Sequence, residues 1–287
     1  MKTKLAFKSP EGKASVLAFY DSFLEHWTQP NEKFHVDMRH GRTFVIAAGE
    51  KDAPPLILLH GSAMNSVMWM GDAVEYSKSH RVYAVDIPGE PGRSDEKQLP
   101  FKGPAFAEWL YDVLEALSIE KASLVGMSLG AWLAAKFAVS YPEKVEKLML
   151  LCPAGIGPQR VSFLVTTTVH RILGDKLMSG MFRKVNVDES IPEVFLTYQK
   201  LVGENFNYRR EVIPLFSDAE LKRLNMSVAL YVGAKDVIFH SEKSAKRLGA
   251  LLPHAKITVL PEAGHAVINI TDKVSEFLAS SVLKLIS

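Results

Sequence analysis

One cysteine, Cys152, stands alone among 287 residues, so no disulfide can form within the chain and a reducing compartment suits it. Neither sign of charge is in excess. The 34 Lys and Arg set against 32 Asp and Glu leave +2, too little to draw nucleic acid or an anionic bilayer. Long apolar runs are missing as well: no stretch approaches the ~20 residues of a spanning helix. The opening MKTKLAFKSPEGK carries lysines but no apolar run of signal-peptide length. A cytoplasmic protein without a membrane span is expected. There is no H-E-x-x-H, no paired C-x-x-C and no P-loop, so no metal site is implied. GIGPQR (155–160) opens like a dinucleotide fingerprint but lacks the third glycine, and is read as a turn. The basic pairs at 209–210 and 222–223 are read as a solvated face.

What is present is an ordinary globular composition, 47% hydrophobic and 23% charged, without repeats or low-complexity tracts. A helical stripe runs through Val16, Leu17, Tyr20, Phe23, Leu24 and Trp27, with Ser9 and Pro10 suited to its start; it predicts a helix over 11–27. FHVDMRHGRTFVIAAG reads as two strands around a turn at His40–Gly41. The runs 56–61, 82–87, 123–126 and 147–152 are short, β-rich and nearly free of polar residues, as strands covered on both faces are. Helical stretches separate them: MGDAVEYSKS, AFAEWLYDVLEAL and LGAWLAAKFAVS. The alternation predicts an α/β fold, a mostly parallel central sheet with helices on both faces. It breaks over 156–224, where Val161, Val165, Val169 and Ile172 share one helical face and no convincing strand occurs. It resumes with strands at 228–233 and 256–260 and helices at 241–252 and 267–286. One sheet-centred core, 1–155 with 225–287, interrupted by a helical insertion, 156–224, is the simplest account.

Chemistry enters at GMSLG (126–130), which fits the G-x-S-x-G elbow, a sharp strand-to-helix turn that exposes a serine at a sheet end. Gly126 and Gly130 are explained if backbone segments cross there too closely to admit a Cβ. A serine hydroxyl needs a base, and the base needs orienting by a third group. The acid should follow the serine and the histidine should come last. Asp236 follows the run VALYVG directly, which places it at the edge of the sheet where the elbow lies. His240, His254 and His265 come after it. His254 precedes its strand and so lies at the wrong edge; His240 opens a helix, where a capping role suits it. His265, in LPEAGHAVIN, lies just past the last strand at the right edge and is the expected base. The expected oxyanion donors are the backbone N–H of Leu129, which follows the serine at a helix N-terminus, and that of Ser62 in LLHGSAMNS. His60 is read as orienting this loop. Met64, Met68 and Trp69 could wall an acyl pocket or simply belong to the core.

Together HGS, YAVDIPG, GMSLG, GAKD and PEAGH, in that order, resemble the α/β-hydrolase superfamily from about Lys33 to the end of the chain. The N-terminal helix, the hairpin and LILLHGSAMNSVMW are similar more narrowly to bacterial carboxylesterases of the naproxen-esterase (carboxylesterase NP) type. The resemblance implies an α/β-hydrolase fold whose residues 156–224 form a helical cap. It also implies ester hydrolysis without a cofactor on a small-molecule ester of moderate hydrophobicity. Serine at 128 disfavours the dehalogenase and epoxide hydrolase branches, which use aspartate there. DIPGEPGRS departs from the D-x-P-G-x-G-x-S of many relatives by one extra residue, which puts the local loop in question. Thioester, lactone or carbon–carbon cleavage on the same triad, and a silent binding protein, remain as alternatives; oligomeric state is left open.

Overall fold

The structure is a computed structural model that describes residues 5–162, 193–209 and 211–280. Eight strands build one sheet: β1 (Asn31–Val36), β2 (Thr43–Ala48), β3 (Pro55–Leu59), β4 (Arg81–Val85), β5 (Ala122–Met127), β6 (Val145–Leu151), β7 (Ser227–Gly233) and β8 (Lys256–Leu260). Their order is β1-β2-β4-β3-β5-β6-β7-β8. β1 and β2 form the antiparallel hairpin read from the sequence, turning through Gly41 at φ +106°. β2 runs antiparallel to β4, and every pairing from β4 to β8 is parallel.

Parallel strands need helical crossovers, and these cover both faces. The helices whose bounds fall among the described residues are α1 (Pro10–Leu24), α2 (Met70–Tyr76), α3 (Ala105–Ala116), α4 (Leu129–Ser140), α5 (Glu193–Asn205), α6 (Asp218–Leu221), α7 (Ser241–Leu251) and α8 (Thr271–Ala279). Alternation along the strands sorts the core. Ile57, Leu59, Leu124, Leu148, Leu150 and Leu230 face α3, α4 and α7, while Leu56, Leu58, Val125, Met149 and Tyr231 face α1, α2 and α8. Each fully buried aliphatic side chain contributes about 1.5–3 kcal/mol. Trp109 of α3 is buried without penalty to its indole N–H, which donates to Thr43 Oγ1 at 2.9 Å.

Several boundaries differ from the sequence reading. α1 stops at Leu24 rather than 27; its chain then turns, with the Trp27 N–H bonded to the Leu24 carbonyl, and Trp27 still reaches the core. The helix expected from Met70 is entered through a 3₁₀ turn, Ser66–Trp69, capped by the Asn65 side chain. The last helix begins at Thr271 rather than 267, after turns and bends over 261–270, and residues 281–286 of the expected helix lie outside the described residues. Of the stripe Val161, Val165, Val169 and Ile172, all but Val161 lie outside the described residues. The described parts of 156–224 hold α5 and α6 and no strand.

α1 packs on its own chain, against α5 through a cluster that includes Val16, Phe19, Phe23, Tyr198 and Val202. At the other end of the molecule Lys147, on β6, is buried and donates its Nζ to the carbonyls of Leu278 and Ser280, the latter at 2.6 Å. A cation at a helix C-terminus satisfies carbonyls that have no partner within the helix. Lys147→Met should therefore lower stability by about 1–3 kcal/mol in urea unfolding, with loss of α8 first in hydrogen exchange; an unchanged midpoint would show that α8 docks without it.

Candidate active site

The parallel strands deliver their following residues to one edge of the sheet: His60 to Ala63 after β3, Asp86 after β4, Ser128 after β5, Cys152 after β6, Asp236 after β7 and His265 after β8. Ser128 sits between β5 and α4 at φ +53°, ψ −108°, where a non-glycine residue is strained by on the order of 1–3 kcal/mol. Surrounding bonds hold it there. Its N–H donates to the Leu151 carbonyl at 2.8 Å, and its carbonyl accepts from Trp132 and Ala154 N–H at 3.0 and 3.3 Å. The flanking glycines are spatial requirements. A Cβ on Gly126 would collide with the Gly130 carbonyl, and one on Gly130 with the carbonyls of Leu59 and, at 2.6 Å, His60.

Ser128, His265 and Asp236 meet at this edge. His265 Nε2 lies 2.9 Å from Ser128 Oγ, and His265 Nδ1 lies 2.9 Å from Asp236 Oδ2. Asp236 Oδ1 accepts the N–H groups of Ile238 and Phe239 at 2.7 and 3.0 Å. Burial pushes the Asp236 carboxyl up, but the hydrogen bond and charge of His265, with those two N–H groups, outweigh it and hold the group below the ordinary carboxylate range. An ionised carboxylate only accepts, so the imidazole proton belongs on Nδ1 and Nε2 faces the serine hydroxyl with a lone pair. The arrangement can move the hydroxyl proton to the ring. His240 occupies the N-cap position of α7 without a side-chain capping bond, and His254 bonds the Met226 carbonyl at 3.2 Å; neither joins the serine.

Two N–H groups belong to segments that flank the serine. That of Leu129 opens α4, where the helix dipole favours negative charge. That of Ser62 belongs to the β3 loop, which passes so close that a Cβ on Gly61 would lie 3.9 Å from Ser128 Cβ. Among the described residues neither N–H has a protein acceptor. His60 explains the aim of the second. Its Nε2 accepts the Ile87 N–H at 2.9 Å, so its Nδ1 carries the proton and donates to the Gly61 carbonyl at 2.8 Å. Burial lowers its basicity and keeps the ring neutral in spite of the Asp86 charge. In a trans peptide the carbonyl and the next N–H point oppositely, so anchoring Gly61 O turns Ser62 N–H away from His60. Cys152, Asp236 and His265 bring one donor atom each within 4.8 Å of one another. Burial raises the Cys152 thiol, however, and a protonated thiol is a poor metal ligand.

The structure also corrects the reading of Arg209 as part of a solvated face. Its side chain is 7% exposed and pairs with Glu90, 0% exposed, at 3.2 Å. Glu90 belongs to the lengthened loop after β4, and its Oε2 accepts the Ala63 N–H at 2.7 Å. Within that loop Asp86 accepts from Tyr20 Oη, Ser66 N, Ser66 Oγ and Arg93 N, joining α1 to the β3 and β4 loops. Arg160, at the end of GIGPQR, bonds the carbonyls of Asp236 and Phe239 at 2.8 and 3.1 Å, so that turn braces the acid's loop. These side chains were missed in the sequence because their partners are remote. The only local hint was the odd loop PGEPG. Trp69 belongs to the core beneath α1 and α2, whereas Met68 Sδ lies 3.4 Å from Gly61 N and Met64 Sδ 2.9 Å from Gln199 Nε2.

Residues 54–173 match the model of the alpha/beta hydrolase fold family. Carboxylesterase YbfK of Bacillus subtilis is 30% identical over 275 residues, covering 92% of each chain. The chain belongs to the α/β-hydrolase family. A second relative of this α/β hydrolase, an uncharacterized carboxylesterase, nap, of the same organism, is 30% identical and covers 86% of this chain and 85% of its own. The crystal structure of the B. subtilis carboxylesterase CesB (YbfK) superimposes with a TM-score of 0.84 at 29% identity, and that of B. subtilis naproxen esterase with 0.84 at 25%; each covers 94% of this chain and 99% of its own.

The depressed Asp236 carboxyl makes a prediction with a definite sign. The folded group binds its proton more weakly than the unfolded one, so its stabilisation is complete above the unfolded value near pH ~4 and vanishes as pH falls through the lowered folded value. In urea unfolding, the excess stability of wild type over Asp236→Asn should shrink between pH 7 and about pH 3. A gap independent of pH would contradict the assignment.

Proposed function

We propose that this α/β hydrolase is a serine carboxylesterase working through an acyl-enzyme. Ser128 attacks the ester carbonyl while His265 Nε2 takes the hydroxyl proton. Asp236 holds the Nδ1–H tautomer and stabilises the imidazolium that forms. The N–H groups of Ser62 and Leu129 receive the negative oxygen of the tetrahedral intermediate. His265 then protonates the leaving alcohol, and water, deprotonated by the same ring, releases the acid. The observation that carries this reading is the unbroken hydrogen-bonded series Ser128–His265–Asp236, flanked by segments whose Ser62 and Leu129 N–H groups have no acceptor among the described residues. The carboxylesterase and naproxen-esterase names of the relatives support an ester as the bond cleaved.

The segment 156–224 is the cap over a core formed by 1–155 and 225–287, and it selects small-molecule esters of some hydrophobic bulk. The lone, buried Cys152 supports a cytoplasmic setting. No helix among the described residues is long and apolar enough to cross a membrane.

A fluorophosphonate probe should label Ser128 in wild type and leave Ser128→Ala unlabelled, and hydrolysis of a graded panel of p-nitrophenyl esters should follow the same division. Absence of both in folded wild-type protein would refute the reading. Asp236→Asn, which removes the acceptor that fixes the tautomer, should lower kcat by ~10³–10⁴-fold while the protein stays folded. A loss of only a few-fold would remove Asp236 from the mechanism.

A further inference from the structure

The loop that carries Ser62 is held from two sides. On one, His60 fixes the peptide plane between Gly61 and Ser62. On the other, the plane between Ser62 and Ala63 ends in an N–H that donates to Glu90 Oε2 at 2.7 Å. Ala63 itself lies at φ +58°, a conformation that does not persist in a loop unless neighbours enforce it. Glu90 is fully enclosed, and enclosing a carboxylate is unfavourable without a paired charge.

Arg209 supplies that charge, from a position 119 residues away in sequence, just past α5. Its Nε meets Glu90 Oε1 at 3.2 Å, Nη1 donates to the Leu99 carbonyl at 2.6 Å, and Nη2 to the Pro88 carbonyl at 3.2 Å. The guanidinium carbon stands 4.9 Å from the centre of the Phe101 ring and 5.4 Å from that of Phe106. Every donor group of this arginine therefore faces the loop after β4, and the carboxylate it holds faces the loop after β3. One carboxylate oxygen thus meets the guanidinium while the other accepts the backbone N–H next to Ser62.

We propose that Glu90 is a positioning residue for the oxyanion site, clamping the Ser62–Ala63 peptide through its accepting oxygen, and that Arg209 keeps that oxygen in place. The inference rests on the esterase reading, because only there does the direction of Ser62 N–H affect a rate. The clamp should matter more to kcat than to KM, since the oxyanion forms in the transition state and not in the bound ester.

A matched pair of charge-free proteins isolates the acceptor. Glu90→Gln/Arg209→Met keeps an oxygen able to accept from Ala63 N–H, and Glu90→Leu/Arg209→Met removes it. Neither leaves a lone buried charge behind, the main hazard in taking apart such a pair. With p-nitrophenyl butyrate, kcat of the leucine form should lie ~10–100-fold below wild type with KM within about threefold, and the glutamine form should recover most of that loss. The limiting rate of Ser128 phosphonylation by a fluorophosphonate should follow kcat. Equal kcat in the two forms, while wild type labels and turns over, overturns the clamp and leaves the esterase reading intact. Wild type that neither labels nor hydrolyses overturns both. If either double variant fails to melt cooperatively, the single variants Glu90→Gln and Glu90→Leu, which leave the same unpaired Arg209, are compared: a leucine form ~10-fold or more below the glutamine form in kcat agrees with an acceptor role, and a smaller difference overturns it.

Discussion

Helix α4 meets the end of β3 with no room for a methyl group between them. The crossing at Gly130, against the carbonyls of Leu59 and His60, fixes how closely the helix N-terminus can approach the β3 loop. Because of that approach, the segments that carry the Leu129 and Ser62 N–H groups flank the same serine. The strained φ of Ser128 follows from the same constraint: the chain must reverse within one residue to pass from β5 into a helix packed this tightly. The hydrogen bonds around Ser128 and the small residues Gly130, Ala131, Ala134 and Ala135 of α4 are the means by which the fold holds that reversal. Remove the close crossing, and the serine, its N–H neighbours and the imidazole no longer share a point in space.

Electrostatics is organised around the same edge in layers. Asp236 is ionised because its environment donates to it from three directions, and that charge determines which nitrogen of His265 faces the serine. His60 is kept neutral by burial, and its proton is committed to a carbonyl. The two histidines at the edge are therefore held in the same tautomer for different reasons, one by a carboxylate and one by a backbone pair. Asp86, farther out, satisfies four donors from three segments and joins α1 to the loops that surround the serine. Burial pushes the Tyr20 phenol up, so it remains an O–H donor to this carboxylate.

Much of this was legible in the sequence, for local reasons. Strands covered on both faces announce themselves as short apolar runs, and β3 to β7 lie where such runs fall. The glycines at 126 and 130 and the positions of Asp236 and His265 just past strand ends pointed to one edge, and the structure brings these side chains together there. Boundaries were less legible. α1 ends early, although Trp27 continues its apolar stripe, because burial of a side chain does not require helical backbone. Residues 261–270 read as helix in part, yet turns and bends there carry His265 to the edge. Least legible was the inward turn of Glu90 and Arg209. Charged residues are ordinarily solvated, and only a partner more than a hundred positions away makes their burial tolerable. Whether α1 packed at home was open until its contacts with α5 and Asp86 were in view.

Cys152 lies at the end of β6, buried, with its thiol made less acidic by its surroundings and its sulfur 3.9 Å from the Gly264 carbonyl. The folded chain thus hides its one sulfhydryl from alkylating reagents, while an opened chain would present it. Maleimide capture becomes a clock for opening of the sheet centre. Equally, a thiol engineered onto the surface would be a unique handle for a dye or spin label, with no native site to protect first.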